Sequence, residues 1–290
     1  MSSSDQLQRV IFDEADIRSV LAGLEQSYQQ AIAKHNYPAL INVLLGEMMA
    51  AVSLLSATLK FDGRLLLQAQ SNNQVKVLMA ECNHQRDLRA IARFDGELPE
   101  QAGFCELLQG GQLVITIEPD QGKRYQGVVP LEGKRLSDCL EAYFNLSEQL
   151  PTQIHLAADE QRAAGFLLQV MPAKGDSMAD WEHFSCLGAT LSDAELLQLD
   201  NETIIHRLFH EEKCRLYDPE SLQFKCDCSR KRTADALRSM TQEELEEIVR
   251  EEGSIDVSCQ FCNEVYHFDL ADIAMMFSDS ANIEGSDKLH

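Results

Sequence analysis

Two close cysteine pairs, Cys226-x-Cys228 and Cys259-x-x-Cys262, stand with thirty residues between Cys228 and Cys259. This spacing constrains the chain more than any other feature. Four thiolates can surround one zinc ion tetrahedrally, and close pairs joined by a longer loop are the usual way to supply them. The C-x-x-C half has a common ligand spacing; the C-x-C half is tight. Disulfides, a metal site, a catalytic redox pair, or an exchange among these would all use the same residues. Compartment helps to choose. The first twenty residues, MSSSDQLQRVIFDEADIRSV, show no basic region followed by an apolar one, so a cytoplasmic protein without a secretory signal is expected. Thiols there are kept reduced, and nine cysteines then favour metal or redox chemistry over structural disulfides. Zinc on Cys226, Cys228, Cys259 and Cys262, one ion per chain in the reduced form, is the expectation. His267 is a conceivable substitute ligand, but four sulfurs already fill the shell. His206, His210 and Cys214 fall at i, i+4, i+8 and are read as a partly exposed helix face rather than a second site. Cys82, Cys105, Cys139, Cys186 and Cys214 are read as ordinary thiols that pack as small hydrophobes.

The stretch around the four cysteines needs such a staple. Its apolar residues are few, chiefly Leu237, Leu245, Ile248, Val249, Val257, Val265 and Phe268. About sixty residues with so thin a core require a metal or a crosslink. Between the pairs, Thr241 and Glu244 have capping-box spacing, Met240 and Leu245 are placed to staple, and Gly253 suits a C-cap.

The rest of the chain predicts an α+β fold. In residues 1–172, three runs read as hairpins: RLLLQAQ-SNNQ-VKVLMAEC (64–82), GQLVITI-EPDQGK-RYQGVVPL (111–131) and TQIHLAA-DEQRA-AGFLLQVMP (152–172). Helices are expected at 39–59 and 135–150, the latter with Leu136, Leu140, Tyr143 and Phe144 on one face. The 39–59 run is long enough to cross a membrane, but Asn42, Glu47, Ser53, Ser56 and Thr58 interrupt it, so a buried core helix is expected. Residues 173–224 read as a helical, metastable linker. AKGDSMADWEHFSC is small, polar and irregular, and two short helices follow. Ser192 and Glu195 form a capping box, with Leu191 and Leu196 as its staple. Such short helices must dock on something, either on the first domain as an ordinary connection or in a way that depends on their neighbours. Residues 225–277 form the zinc-binding unit, and 278–290 a flexible tail.

With a net charge of −22 the chain repels phosphate backbones, and its one dense basic patch is Arg230, Lys231 and Arg232; neither nucleic acid nor membrane is an expected partner. No phosphate-binding glycine loop, dinucleotide fingerprint, nucleophile elbow or H-E-x-x-H occurs, so no enzyme is expected. A thioredoxin-like pair would open a helix in a βαβ unit, whereas SIDVSCQFCNEVYHF reads as strand, turn, strand. A regulatory or adaptor protein with a structural zinc module, or a thiol–disulfide oxidoreductase, remain the alternatives.

RYQGVVPLEG (124–133), LEAYFNLSEQLPT (140–152), GFLLQVMP (165–172), RLFHEEKCRLYDP (207–219), FKCDCSRKR and CQFCNEVYHF together resemble the 33-kilodalton heat-shock chaperone family, a redox-regulated holdase of bacteria. The resemblance runs over nearly the whole chain and departs at QSNNQVKVL (70–78), where the family pattern has a glycine-rich turn. It implies a zinc-bound, inactive, reduced monomer. Peroxide or hypochlorous acid together with unfolding conditions would convert it to a zinc-free, oxidised, active dimer that holds unfolding client proteins without ATP. It also implies disulfides Cys226–Cys228 and Cys259–Cys262. Bridges within each pair close very short loops and tie nothing across the thirty-residue gap. The last unit would then fall apart and the linker would lose any docking it supplied. Leu196, Leu197, Ile204, Ile205, Leu208 and Phe209 are the client-binding candidates on that account.

Overall fold

The computed structural model describes residues 5–58, 62–99, 102–172 and 178–284, which divide into compact units at Lys225/Cys226. Along the first unit, β1 (Gln6–Phe12) and β2 (Ile17–Leu24) lead through α1 (Gln26–Ile32) and α2 (Ala39–Ser56) to β3 (Gly63–Gln70), β4 (Val75–Asn83) and β5 (Asp87–Phe94). Then come α3 (Phe104–Leu107), β6 (Gln112–Pro119), β7 (Tyr125–Pro130) and α4 (Leu136–Tyr143), which continues as a π-helical turn over Phe144–Glu148. The hairpin β8 (Thr152–Ala158) and β9 (Ala163–Val170) follows. After it come α5 (Met178–Gly188), α6 (Asp193–Gln198), α7 (Asn201–Phe209) and three short strands, β10 (Cys214–Leu216), β11 (Glu220–Ser221) and β12 (Gln223–Phe224).

The strands make two sheets. One has the order β10-β1-β2-β9-β8 with β11 also on β1, and the other β12-β5-β4-β3-β6-β7. Helix α2 packs against strands of both, and its residues are mostly buried, so the expected core helix forms over Ala39–Ser56; residue 59 lies outside the described residues. A Cβ on Gly46 would stand 2.7 Å from the Ala158 Cβ and 3.0 Å from that of Ala163, so glycine and two alanines let the helix lie close on the β8–β9 hairpin.

All three expected hairpins form. The 71–74 turn needs no glycine: Ser71 Oγ donates to Val75 O (2.8 Å) and accepts from Asn73 N–H (3.0 Å), and none of its residues has a positive φ. The β1–β2 hairpin and β5 carried no such signal. The acidic turn joining β1 to β2 has neither Gly nor Pro and is held from afar, by Asp13 N–H on Lys213 O (2.9 Å) and Met171 N–H on Asp16 O (2.7 Å).

Every residue of β9 is buried, because both faces of the first sheet are covered. One face meets α2. The other carries Val10, Phe12, Ile17, Leu21, Phe166 and Leu168 and is covered by α5–α7 through Phe184, Leu191, Leu196, Ile204, Ile205, Leu208 and Phe209. Four rings form the centre of this layer: Phe12 lies 4.4 Å from Phe184 and 4.9 Å from Phe209, and Phe166 stacks 6.4 Å from Phe209. The short helices therefore dock on the first sheet. Of the stretch 173–186, expected to be irregular, residues from Met178 on lie in α5, which runs to Gly188 because Trp181, Phe184 and Leu187 have this surface to pack on. Residues 173–177 lie outside the described residues. The linker is helical only to Phe209. Beyond it the chain is extended and adds strands to the edge of each sheet, β10 and β11 on β1 and β12 on β5.

The second unit comprises α8 (Arg230–Leu237), α9 (Gln242–Glu252), the hairpin β13 (Ile255–Ser258) and β14 (Val265–Phe268), and α10 (Leu270–Glu284). Its buried cluster is Leu245, Val249, Ile255, Phe268, Ile273 and Met276, with Leu237, Ile248 and Val257 partly buried against it. Val265 and Met240 are exposed. The expected tail is helical to Glu284: Asp269 and Asp272 cap each other's backbone N–H groups (2.9 and 3.0 Å), and buried Ile273 and Met276 anchor the first turns. Residues 285–290 lie outside the described residues.

Candidate metal centre

Cys226 and Cys228 precede α8, whose N-cap Ser229 accepts from Arg232 N–H. Cys259 and Cys262 sit in the β13–β14 turn, closed by Cys259 N–H on Glu264 O and Asn263 N–H on Cys259 O, both 2.8 Å. Asn263 takes φ 57°, a left-handed conformation that asparagine tolerates better than most residues. The two segments bring all four Sγ atoms within 4.8 Å of one another. Cys226 Sγ lies 3.6 Å from Cys259 Sγ, and Cys228 Sγ lies 3.3 Å from Cys262 Sγ. Four sulfurs each about 2.3 Å from one zinc ion stand about 3.8 Å apart, so the cluster has the dimensions of a tetrahedral site.

The surroundings suit sulfur that carries negative charge. Tyr266 Oη–H donates to Cys228 Sγ at 3.2 Å. The backbone N–H of Cys228 donates to Cys226, those of Phe261 and Cys262 to Cys259, and that of Glu264 to Cys262. Partial burial raises every one of these three thiols; at Cys259 the hydrogen bonds outweigh it and hold the thiol below its ordinary value. Cys226 is pushed up to about 11, by burial and by its neighbours Cys228 and Cys259, and Cys262 is pushed up too, by burial and its thiol neighbours. A cation that neutralises the cluster lets all four ionise, as metal binding at thiols requires. The residues fit zinc.

His267 turns away, its Nδ1 2.7 Å from Asp256 Oδ1. His206 on α7 and His210 at its C-cap stack 6.0 Å apart, but the helix ends at Phe209 and Cys214, in β10, pairs with Phe12 of β1, so the i, i+4, i+8 face is broken. The two arginines of the basic patch are internally engaged. Arg230 pairs with Asp272 (2.7 Å) and lies 4.4 Å from the centre of the Phe268 ring, and Arg232 pairs with Asp227. The client-binding candidates Leu196, Ile204, Ile205, Leu208 and Phe209 are buried under the helical layer, and Leu197 is half-buried. Tyr266 went unnoticed in the sequence. Its signal was the period-two alternation of β14, which puts it on the same side as the core residue Phe268.

A family model described as Hsp33 protein matches residues 5–269. The chain is 48% identical over 299 residues to a 33 kDa chaperonin of Pseudomonas aeruginosa, covering 100% of both, and 49% identical over 280 residues to one of Shewanella denitrificans, covering 97% of both. A crystal structure of the 33 kDa chaperonin from Thermotoga maritima superposes with a TM-score of 0.79 at 21% identity, over 96% of this chain and 99% of that one, which shows a shared fold.

Proposed function

The chain belongs to the Hsp33 protein family, and on that premise we propose that it is a cytoplasmic, redox-regulated, ATP-independent holdase rather than an enzyme. The observation that carries this reading is the four-thiol cluster. It joins segments thirty residues apart in sequence, and every sulfur receives a hydrogen bond. Zinc held by Cys226, Cys228, Cys259 and Cys262 supplies folding energy, about 10–16 kcal/mol in small thiolate sites, to a unit with six buried apolar residues among those described.

Oxidation acts on the chain's own sulfurs. In each pair, Cys226–Cys228 and Cys259–Cys262, two thiolates lose two electrons to a peroxide, an S–S bond forms, the O–O bond breaks, and with two protons from solvent two waters leave. The sulfurs then no longer serve as thiolate ligands, and each pair is tied only to itself. With its staple gone, the thin core of 226–284 does not hold. The chain preceding it, 214–224, is an added edge on β1 and β5, held by short ladders, by Glu220 paired with Arg9 and Arg86 and by buried Leu222, and α5–α7 are short helices that owe their order to packing on the first sheet. Their release under unfolding conditions uncovers Leu196, Leu197, Ile204, Ile205, Leu208 and Phe209, together with the sheet face around Phe12 and Phe166. Clients bind there, and the oxidised protein pairs as a homodimer. The charge of −22 keeps the complex soluble.

Treatment of the reduced, zinc-loaded chain with peroxide at raised temperature should release zinc and suppress aggregation of an unfolding client in parallel. Zinc release without client protection leaves a structural zinc module as the correct reading.

A further inference from the structure

Outside the metal centre, one other pair of thiols is in contact. Cys105 Sγ and Cys139 Sγ lie 3.8 Å apart, 34 positions apart in sequence. Cys105 belongs to α3, a four-residue helix, and Cys139 to α4. Both sulfurs face carbonyls of the loop that leads into α4, Cys139 that of Glu132 (3.5 Å) and Cys105 that of Arg135 (4.0 Å). Neither thiol has a role in the reading above.

We propose that Cys105 and Cys139 are a second redox pair, which closes to a disulfide within the first unit when the protein meets hydrogen peroxide and is independent of the zinc cluster. Cys105 is 9% exposed and Cys139 is fully buried, so the oxidant reaches Cys105 first. The Cys105 thiol gives up its proton and its thiolate attacks one peroxide oxygen; the O–O bond breaks, a sulfenic acid forms, and the hydroxide that leaves takes up that proton as one water. The Cys139 sulfur then attacks the Cys105 sulfur, the S–O bond breaks, and hydroxide leaves with the Cys139 proton as the second water. Two thiols are oxidised by two electrons and one peroxide is reduced. The sulfurs need only close from 3.8 Å to the about 2.0 Å of an S–S bond, and a helix of four residues offers little resistance to that shift. Burial raises both thiols, Cys139 to about 12, so the pair stays reduced under ordinary conditions and reacts more slowly than exposed thiols.

The bridge would brace a particular place. Arg135, at the N-cap of α4, pairs with Asp193 of α6 at 3.0 Å, and Asp193 also meets His155 Nε2 at 2.6 Å. Closing a 34-position loop restricts the unfolded chain far more than closing C-x-C or C-x-x-C. Oxidation would thus firm the first unit under the same conditions that remove the support of the second.

The test uses the full, zinc-loaded chain. After peroxide treatment at raised temperature, free thiols are alkylated in guanidinium and the protein is cut with trypsin. Lys123, Arg124, Lys134 and Arg135 lie between the two cysteines, so the bridge joins separate peptides. The expected result is a Cys105–Cys139 crosslinked peptide and a first-unit melting temperature raised by several degrees, both lost in Cys105→Ala. Recovery of both cysteines as alkylated thiols, or bridged to other cysteines, overturns the proposal. Zinc release, read with a chromogenic chelator in the same sample, separates the two readings. Release without this bridge sinks only the second pair, and the bridge without release sinks only the zinc switch.

Discussion

Glu47 shows how much one residue's meaning depends on its neighbours. In the sequence it marks only an interruption of an apolar run. In the fold, burial pushes its carboxyl up to about 7, with Arg135 opposing and Asp193 adding to the shift. An acid whose folded-state value exceeds its unfolded one binds its proton more tightly when folded, so stability falls as pH rises between about 4.5 and about 7 and levels off above. Glu47→Gln should remove that decline. The melting temperature of the first unit, followed by calorimetry across this range, is the measure, and equal slopes for variant and parent would refute the assignment. The thiol cluster was legible residue by residue, because ligand chemistry fixes both type and spacing. Tyr266 was not, because a hydroxyl that donates to sulfur has no characteristic spacing from the sulfur it serves. Glu47 was not, because its environment comes from α4 and α6, far along the chain.

At the scale of elements, signals carried within a few residues were readable and those carried across the fold were not. The Ser192/Glu195 and Thr241/Glu244 capping boxes form as expected, with Glu195 N–H and Glu244 N–H each 3.3 Å from the capping hydroxyl. The β1–β2 hairpin escaped because Lys213 and Met171 hold its turn. Helix α5 escaped because its apolar residues find their partners on another element's sheet. The docking of α5–α7 rests on the Phe12, Phe166, Phe184 and Phe209 rings. Phe209→Ala removes the ring common to three of these contacts and should cost about 3–5 kcal/mol. Trp181, the single tryptophan, packs on the same layer and reports on it. Its emission should shift to longer wavelength in the reduced variant at temperatures where the parent is unchanged, and client protection should appear without oxidant. An unshifted emission means that the helices stay docked without the ring.

Across the whole molecule, stability is divided unequally. The first unit has an extensive core built around α2, whereas the second, among its described residues, buries six apolar side chains beside a four-thiol cluster. Under reducing conditions, a strong chelator should abolish amide-exchange protection in 226–284 while β2, β9 and α2 keep theirs. Equal loss in both units would mean that the metal supports the entire fold. The segment 214–224 gives this division a further consequence. It lies along the outer side of β1 through β10 and β11, and along the outer side of β5 through β12. If it peels away, two rows of backbone N–H and C=O groups lose their partners, one on each sheet. An open strand border is the template on which aggregates grow. A protein that bares two such borders at once offers an unfolding polypeptide the same backbone pairing it would otherwise seek in a misfolded copy of itself, on a scaffold that carries the pairing no further.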